Sequence, residues 1–182
     1  MGVLSFLVAL TRPVLAVDVW TRIGPDEGNV AVLAAAPSQP STVYAGLGLG
    51  GVFRSVDGGT SWSFAGGGLD LTDTVRSLVV DSRRPDTLWV ATFHGIYQSV
   101  NGGASWDRVF GEGAAALAQD PVSHGIYAGS QSGPLVYSRG GASWQALDRA
   151  PQHVSQLVID PSHHQILYAG TLSGLFKSTD GG

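Results

Sequence analysis

The sequence has no cysteine and few charged residues, and each shortage excludes a class of function. Without cysteine the chain can form no disulfide, no thiolate nucleophile and no thiolate metal ligand. Charged residues make up 13% of the chain, its formal net charge is −4, and it has no basic patch or stripe, so we expect no nucleic acid partner. Long runs of helix-forming residues are also missing. The 26 glycines and the frequent β-branched and aromatic residues instead favour an all-β protein with many tight turns.

No apolar run is long enough for a transmembrane helix, which needs roughly 20 residues. Residues 3–10 are apolar, Pro13 follows them, and residues 14–16 end in the small residue Ala16. This pattern predicts a signal peptide over residues 1–16, although no positive charge precedes the apolar run. A misassigned start codon or an ordinary buried strand is the alternative. We therefore expect an exported protein, either extracellular or periplasmic.

One turn sequence occurs four times along the chain. The copies are Ser55-Val-Asp-Gly-Gly-Thr-Ser-Trp62, Ser99-Val-Asn-Gly-Gly-Ala-Ser-Trp106, Ser138-Arg-Gly-Gly-Ala-Ser-Trp144 and Ser178-Thr-Asp-Gly-Gly182. Their first serines are 44, 39 and 40 residues apart. A nearly fixed period of this length indicates an architecture of structural repeats. We call these four segments the repeated turns.

The sequence around the repeated turns predicts four short strands in each repeat. In the fourth repeat, residues 154–161, 164–171 and 174–178 are largely apolar runs bounded by turn-forming residues. A further run starts near the Trp that ends each complete turn. The first run is apolar nearly throughout, which predicts a strand buried on both faces. The predicted fold class is therefore an all-β β-propeller of four-stranded antiparallel blades.

The repeats divide the chain into about four blades. We place blade 1 at residues 30–74, blade 2 at 75–114, blade 3 at 115–153 and an incomplete blade 4 at 154–182. Residues 17–29 resemble the segment around the end of a repeated turn, because Trp20 would start a fourth strand as Trp62 does. We expect residues 17–29 to form a closing outer strand. It either completes a four-bladed ring or belongs to a larger propeller, and we favour the larger propeller.

The repeated turn has a structural explanation of its own. The Asp57 carboxylate can accept hydrogen bonds from backbone N–H groups later in the turn. The Gly58-Gly59 pair can adopt positive φ at little steric cost. Trp62 then begins the fourth strand and brings a large apolar side chain to its sheet. The motif therefore needs no ligand to account for it.

The repeated turns resemble the Asp-box, or BNR repeat, whose pattern is Ser-x-Asp-x-Gly-x-Thr-Trp. The matching residues are Ser55, Asp57, Gly59 and Trp62, then Ser99, Asn101, Gly103 and Trp106, then Ser138 and Trp144, and finally Ser178 and Asp180. Asn101 replaces the aspartate of the pattern, and the third copy is one residue short and has no acidic group. The resemblance covers about residues 20–182. It implies a β-propeller in which the box is a structural turn between the third and fourth strands, away from the usual active-site face.

The resemblance implies a fold and leaves the function open. Asp-boxes occur in sialidases, xyloglucanases, sortilin-type receptors and a photosystem II assembly factor, and one fold hosts many functions. A sialidase-like site would also need a cluster of arginines and a tyrosine–carboxylate pair. Arg22 only faintly resembles the arginine of the sialidase Phe-Arg-Ile-Pro motif, and its neighbours do not fit.

The candidate ligand-binding residues are acidic and lie in connecting segments. Asp70, Asp73 and Glu112 could reach one rim of the propeller. Glycoside hydrolysis needs two carboxylates about 5 to 9.5 Å apart. A solvated loop that caps the next strand is the simpler explanation, and we assign no catalytic residue in this segment.

Other polar residues in the sequence fit turns better than chemistry. Asp81, Asp120 and Asp160 recur at the end of the first strand, which indicates Asx-type hydrogen bonding. His153 and the pair His163-His164 are expected on exposed turns, because adjacent histidines point in different directions and no third ligand is defined. We therefore predict no metal site and no cofactor.

These observations lead to a hypothesis about function. We expect an exported binding or assembly scaffold that binds a protein or carbohydrate ligand on its loop face, near residues 66–74, 112–114 and 148–152. The main alternative is a piece of a secreted glycoside hydrolase of the xyloglucanase or sialidase type. A third candidate is a protein like the photosystem II assembly factor. The sequence leaves the oligomeric state open.

Overall fold

The computed structural model describes residues 20–26, 28–49 and 51–182. The predicted signal peptide at residues 1–16 and the start of the predicted closing strand lie outside these residues. The described residues form fifteen β-strands, and they contain no helix that could cross a membrane. The strands are β1 (Val30–Ala36), β2 (Gln39–Leu47), β3 (Val52–Ser55), β4 (Ser63–Phe64), β5 (Ser77–Val80), β6 (Leu88–Ala91), β7 (Ile96–Ser99), β8 (Asp107–Phe110), β9 (Ala114–Gln119), β10 (Ile126–Ser130), β11 (Leu135–Ser138), β12 (Gln145–Ala146), β13 (Val154–Ile159), β14 (Leu167–Thr171) and β15 (Gly174–Ser178).

Consecutive strands form separate antiparallel sheets. The sheet orders are β1-β2-β3-β4, β5-β6-β7-β8 and β9-β10-β11-β12, and β13, β14 and β15 form a three-stranded sheet. The first strands of successive sheets contact one another, because β1 meets β5, β5 meets β9 and β9 meets β13. Sheets arranged side by side around their first strands are the blades of a β-propeller. The predicted fold class is thus confirmed, and we number the blades 1 to 4 in chain order.

The first strands of blades 1 and 4 are less buried than their apolar sequence predicted. Most residues of β1 are exposed or half-buried, and β13 fully buries only Val154 and Leu157. The first strands β5 and β9, which lie between two blades, have no exposed residue, and the second strands β6 and β10 are buried throughout. The expectation of a first strand buried on both faces was therefore wrong for β1 and β13, because each has a neighbouring blade on one side only among the described residues.

The core consists of three apolar clusters, one at each junction of neighbouring blades. Tyr44 of blade 1 packs with Val75, Leu88 and Trp106 of blade 2 and its flanking segments. The next two clusters contain Trp89, Ile96, Leu117, Ile126 and Val136, and then Tyr127, Leu135, Leu157, Leu167 and Ala169. Because each blade is a single sheet, burial of its apolar side chains depends on the blade beside it.

Neighbouring blades approach closely where the second strand of one meets the segment leading into the next. A Cβ atom built on Gly46 would lie 2.5 Å from Val75 Cγ1. One built on Gly129 would lie 2.6 Å from the Val154 carbonyl oxygen. At the junction of blades 2 and 3, Ala91 holds the position of these glycines and Ala114 holds the position of these valines. A glycine on one side thus accompanies a valine on the other, and this pairing sets the distance between blades.

The segment at residues 20–26 lies against blade 1. The Trp62 indole N–H donates to the Ile23 carbonyl oxygen at 2.8 Å, just as the Trp106 indole donates to the Ala65 carbonyl oxygen at 2.7 Å. Ile23 follows Trp20 by the same three residues that separate Ala65 from Trp62. Residues 20–26 therefore occupy the place that follows a fourth strand, although they form no strand and Trp20 is 98% exposed. Among the described residues β15 pairs with β14 alone, so closure by residues 17–29 stays a prediction.

The close approach of blades gives a prediction for two equivalent glycines. We expect Gly129→Ala to destabilise the fold by about 1 to 3 kcal/mol, because the added methyl group meets backbone atoms that cannot move aside. Gly170→Ala is the matched control, since the nearest atom to its added Cβ is 3.3 Å away and belongs to Gln156 of the same blade. We expect the control to change stability by less than about 1 kcal/mol. Urea unfolding midpoints of both variants test this, and equal losses would contradict the packing argument.

Candidate functional site

The two ends of the blades differ in what they present to solvent. At one end, the first, second and fourth repeated turns bond to the chain at or just before the second strand of their blade. The Gly58, Gly102 and Gly181 N–H groups donate to the carbonyl oxygens of Ser41, Asp86 and Gln165, each at 2.9 Å. We call this end the turn face. The turns between second and third strands and the connections between blades lie at the other end, the loop face.

The polar side chains of the first repeated turn form hydrogen bonds within the turn itself. The Ser55 hydroxyl accepts from the Gly59 N–H at 2.8 Å and donates to Asp57 at 2.8 Å. The Asp57 carboxylate also accepts from the Ser61 hydroxyl at 2.6 Å and the Ser61 N–H at 2.9 Å. These hydrogen bonds, led by the Ser61 hydroxyl, lower the pKa of Asp57 to about 2. The turn therefore has its own structural partners, as its sequence predicts.

The other repeated turns follow the same plan with local departures. Ser99 accepts from the Gly103 N–H at 2.9 Å, and Asn101 bonds the Ser105 N–H and hydroxyl. In the short third turn the Ser138 hydroxyl accepts from the Gly141 N–H, and the Trp144 indole donates to the Gly141 carbonyl. In the fourth turn Ser178 donates to Asp180 at 2.7 Å. We propose that all four turns serve the fold.

The loop face is built from connections that are tied to the turns between second and third strands. The Val75 N–H donates to the Leu47 carbonyl, the Ala114 N–H to the Thr92 carbonyl, and the Gln131 N–H to the Gly113 carbonyl, at 3.0 to 3.1 Å. Side chains on these turns are thereby held on a hydrogen-bonded backbone. This arrangement suits a binding site, because the framework is ordered before any ligand arrives.

Asp73 is the polar centre of this face. Asp73 is only 4% exposed, and its carboxylate accepts from the N–H groups of Thr74, Phe93 and His94 at 2.8, 3.2 and 3.2 Å. It also accepts from the His94 ring Nδ1 at 2.9 Å. Burial alone would raise the pKa of Asp73, but hydrogen bonds from Thr92, His94 and Thr74 lower it below its usual range. Asp73 is therefore an ionised carboxylate that fixes the turn at residues 92–95.

The other two predicted rim carboxylates, Asp70 and Glu112, are exposed and do not fix the turn at residues 92–95. Asp70 is exposed and accepts from the Thr72 hydroxyl at 2.6 Å and N–H at 2.9 Å, which lowers its pKa. Glu112 is exposed and lies near the turn at residues 130–133, where a Cβ built on Gly133 would be 3.5 Å from its Oε2. Asp70 and Asp73 thus share one connection, with Glu112 on the next.

A cleft of about 280 Å³ opens on the loop face across blades 2, 3 and 4. Its lining includes Arg76, Phe93, Gln131, His153, Ser155 and Leu172. The Arg76 guanidinium lies over the Phe93 ring, with its carbon 4.5 Å from the ring centre. Phe93 is 51% exposed and Leu172 is 91% exposed. A half-exposed ring beside several hydrogen-bond donors is a suitable arrangement for a small polar ligand.

Most residues of this cleft are not among those that the sequence pattern predicted. Phe93, Gln131 and Leu172 each follow a Thr or Ser at the end of a second strand and precede a Gly by two residues. A bulky side chain in this tight turn is the sequence feature that could have predicted these residues, since such positions usually hold small residues. Of the expected binding segments, 66–74 contributes Asp73 beneath the cleft. Residues 148–151 instead line a second cavity with Leu157 and Phe176.

The remaining polar groups form local turns. Asp81 accepts from the Arg83 and Arg84 N–H groups, and Asp120 accepts from those of Val122 and Ser123. Asp160 accepts likewise from the Ser162 and His163 N–H groups, and the His164 ring lies 3.4 Å from Asp120. The described residues contain no group of three or more side chains suited to hold a metal ion.

Comparison with known proteins supports the fold. No family model matches this chain, and no curated protein matches it significantly in sequence. An ancestral GH74 enzyme is similar, with 27% identity over 92% of the chain and a TM-score of 0.75. The GH74 xyloglucanase from Xanthomonas campestris is 21% identical over 85% of the chain, with a TM-score of 0.71. YCF48 bound to D1 peptide is 14% identical over 81% of the chain, with a TM-score of 0.61.

The chain is much shorter than these similar proteins. It spans 25% of the ancestral GH74 enzyme, 29% of the xyloglucanase and 50% of YCF48. The similarity supports a β-propeller, and it includes both enzymes and a peptide-bound protein. The resemblance to the Asp-box family stays a prediction from the repeated turns.

The repeated turns give a prediction about pH. Because the pKa of Asp57 is lowered in the folded state, its contribution to stability is present above about pH 4 and is lost as the pH falls towards about 2. Asp57→Asn keeps the turn geometry, as Asn101 does, but removes this titration. We expect wild type to be more stable than Asp57→Asn at pH 7, with a smaller difference at pH 2.5, in urea unfolding curves. Asn101→Asp is the reverse control, and it should gain stability at pH 7 relative to pH 2.5. A difference that does not change with pH would contradict this role of the carboxylate.

Proposed function

We propose that this chain is an exported binding scaffold and that the cleft on its loop face binds a carbohydrate. The observation that carries the proposal is the lining of the cleft. It combines the half-exposed Phe93 ring with the Arg76, Gln131 and His153 side chains, which can donate hydrogen bonds, and with the Ser155 hydroxyl, which donates to the Gly170 carbonyl oxygen and can accept. Sugars present many oxygen acceptors and an apolar ring face, so such a lining complements them.

Binding is favoured over hydrolysis by the state of the two nearby carboxylates. A glycosidase needs one carboxylic acid that is protonated near neutral pH, with a raised pKa. Hydrogen bonds instead lower the pKa of both Asp70 and Asp73. Asp73 is in addition occupied by four donors from the strand-turn framework. Neither residue therefore suits the role of a general acid.

The similar structures support a carbohydrate ligand. Two of the three are GH74 enzymes, and one of these is a xyloglucanase. The present chain shares their fold over most of its length. A scaffold with the same architecture could retain a saccharide-binding face without a catalytic pair.

Two other functions have observations in their favour. A glycoside hydrolase is favoured by the likeness to GH74 enzymes, of which this chain spans about a quarter, so a catalytic pair could involve residues of a longer protein. An assembly factor is favoured by the likeness to YCF48, which was solved with a D1 peptide. Both would use the same propeller framework. The hydrolase would differ from the scaffold by turning over its ligand, and the assembly factor by binding a protein.

Binding to a panel of neutral and acidic polysaccharides, measured by affinity electrophoresis and calorimetry, tests the proposal. We expect Phe93→Ala to weaken binding at least about tenfold, because truncating an aromatic contact at the centre of a site typically costs more than 1 kcal/mol. Phe64→Ala is the matched control, since Phe64 is also 51% exposed but lies in the outermost strand of blade 1. We expect the control to bind like wild type.

The same samples distinguish the alternatives. Failure to bind any polysaccharide, or equal losses in the two phenylalanine variants, would overturn the proposal. Release of reducing ends that disappears in both Asp70→Asn and Asp73→Asn would instead support a hydrolase. Thermal unfolding of each variant ensures that a loss of binding is not a loss of fold.

A further inference from the structure

The lining of the cleft contains one cationic side chain and no carboxylate. Arg76 brings a positive charge, and Gln131 and His153 bring polar hydrogens, whereas the Ser155 hydroxyl donates to the Gly170 carbonyl oxygen. The chain as a whole has a net charge of −4, so this cleft is positive on an acidic protein. Local charge of the opposite sign to the whole molecule is a feature that selects ligands.

The Arg76 guanidinium is held in place without a charged partner. Arg54 and Arg84 pair with Asp86 and Asp81, whereas no described carboxylate lies within 4.0 Å of the Arg76 guanidinium. The guanidinium is oriented instead by its contact with the Phe93 ring at 4.5 Å. Such a contact fixes a cation and leaves its N–H groups free to bind an anion.

Two further groups at the cleft have the properties of a prepared site. Gln131 Nε2 is buried and donates to no described group, and an unpaired buried donor is costly without a ligand or water. His153 has a φ of 56°, in the left-handed region that non-glycine residues rarely adopt. Strain of this kind tends to occur at functional positions.

Asp73 carries the negative charge nearest to Arg76 in the sequence, but it does not neutralise the Arg76 guanidinium. Asp73 precedes Arg76 by three residues, but its carboxylate is turned to the N–H groups of Thr74, Phe93 and His94. It is also bonded to the His94 ring. The Asp73 charge is therefore compensated within the turn, and the Arg76 charge remains available in the cleft.

We infer that the cleft binds a uronic acid residue of an acidic polysaccharide, with the sugar carboxylate on the Arg76 guanidinium and the sugar ring beside Phe93. This inference rests on the proposed carbohydrate-binding function and names its ligand class. Arginine binds carboxylates through two parallel hydrogen bonds, which are stronger than neutral ones. A neutral peptide backbone is the poorer candidate, because it offers no negative charge to the Arg76 guanidinium.

The volume of the cleft fits one charged sugar better than a protein surface. At about 280 Å³ it lies near the lower end of the range for small-molecule sites. The cleft extends over three blades along the loop face, so a polymer has room to continue on either side of the bound residue. The site would thus recognise one acidic sugar within a chain.

The test compares acidic polysaccharides with their carboxyl-reduced forms. The panel holds polygalacturonate, alginate, glucuronoxylan and hyaluronate, each also after chemical reduction of its carboxylates to alcohols. We expect at least one acidic polymer to bind and its reduced form to bind at least about tenfold more weakly, because one charge-assisted pair is lost. Binding of the acidic form should also weaken as salt is raised.

Substitutions of Arg76 in the cleft and of Arg83 outside it test whether the acidic polymer binds in the cleft. We expect Arg76→Gln to lower the affinity for the acidic polymer at least about tenfold and to flatten its salt dependence, and Arg76→Lys to lose less. Arg83→Gln makes the same charge change on the turn face, in an exposed side chain, and should bind within twofold of wild type. The variants need only remain folded, which their thermal unfolding checks.

The outcomes separate this inference from the proposed function. Equal binding of acidic and reduced polymers that is still lost in Phe93→Ala would overturn the acidic ligand and leave carbohydrate binding standing. Equal losses in Arg76→Gln and Arg83→Gln would overturn the site. Binding of an acidic peptide with no binding of any polysaccharide would overturn both proposals.

Discussion

Packing between neighbouring blades is the constraint on which the rest of this structure depends. A single four-stranded sheet cannot cover its own apolar side chains, so each blade buries them against the next. The apolar clusters at the three junctions and the close approach of Gly46 to Val75 and of Gly129 to Val154 show how tightly this distance is set. Once the distance is fixed, the positions of the turns at both ends of the blades are fixed as well.

The two ends use that fixed framework differently. On the turn face, hydroxyl and carboxyl groups such as those of Ser55 and Asp57 bond to the backbone of their own turn. On the loop face, backbone bonds such as that from Gln131 to Gly113 join neighbouring segments, and the Asp73 carboxylate ties one turn to them. These bonds leave the Arg76 guanidinium without a carboxylate partner among the described residues. A ligand therefore finds a free cation on the loop face, and this is where the propeller can vary its function without disturbing its fold.

The sequence was informative wherever the deciding interactions are local. The repeated turns predicted the blades because Ser55, Asp57 and Gly59 bond within five residues, so the pattern is visible in one stretch of chain. The cleft could not be predicted in this way. Arg76 meets Phe93 only after two segments distant in sequence are brought together, and Asp73 bonds His94 across 21 positions. The burial of β1 and β13 was misjudged for a similar reason, since a neighbouring blade on each side, and not apolarity alone, decides whether a first strand is covered.

Asp73 illustrates how one buried carboxylate can prepare a site without touching the ligand. Its bonds to the Phe93 and His94 N–H groups hold the turn that carries the Phe93 ring, and the ring in turn orients Arg76. The Asp73 carboxylate is turned to these N–H groups, and no described carboxylate lies within 4.0 Å of the Arg76 guanidinium. A carboxylate that paired directly with Arg76 would neutralise the cleft. Placed under the turn, it fixes the geometry of the cation and leaves its charge available, which explains why an acidic residue can support a site for an anion.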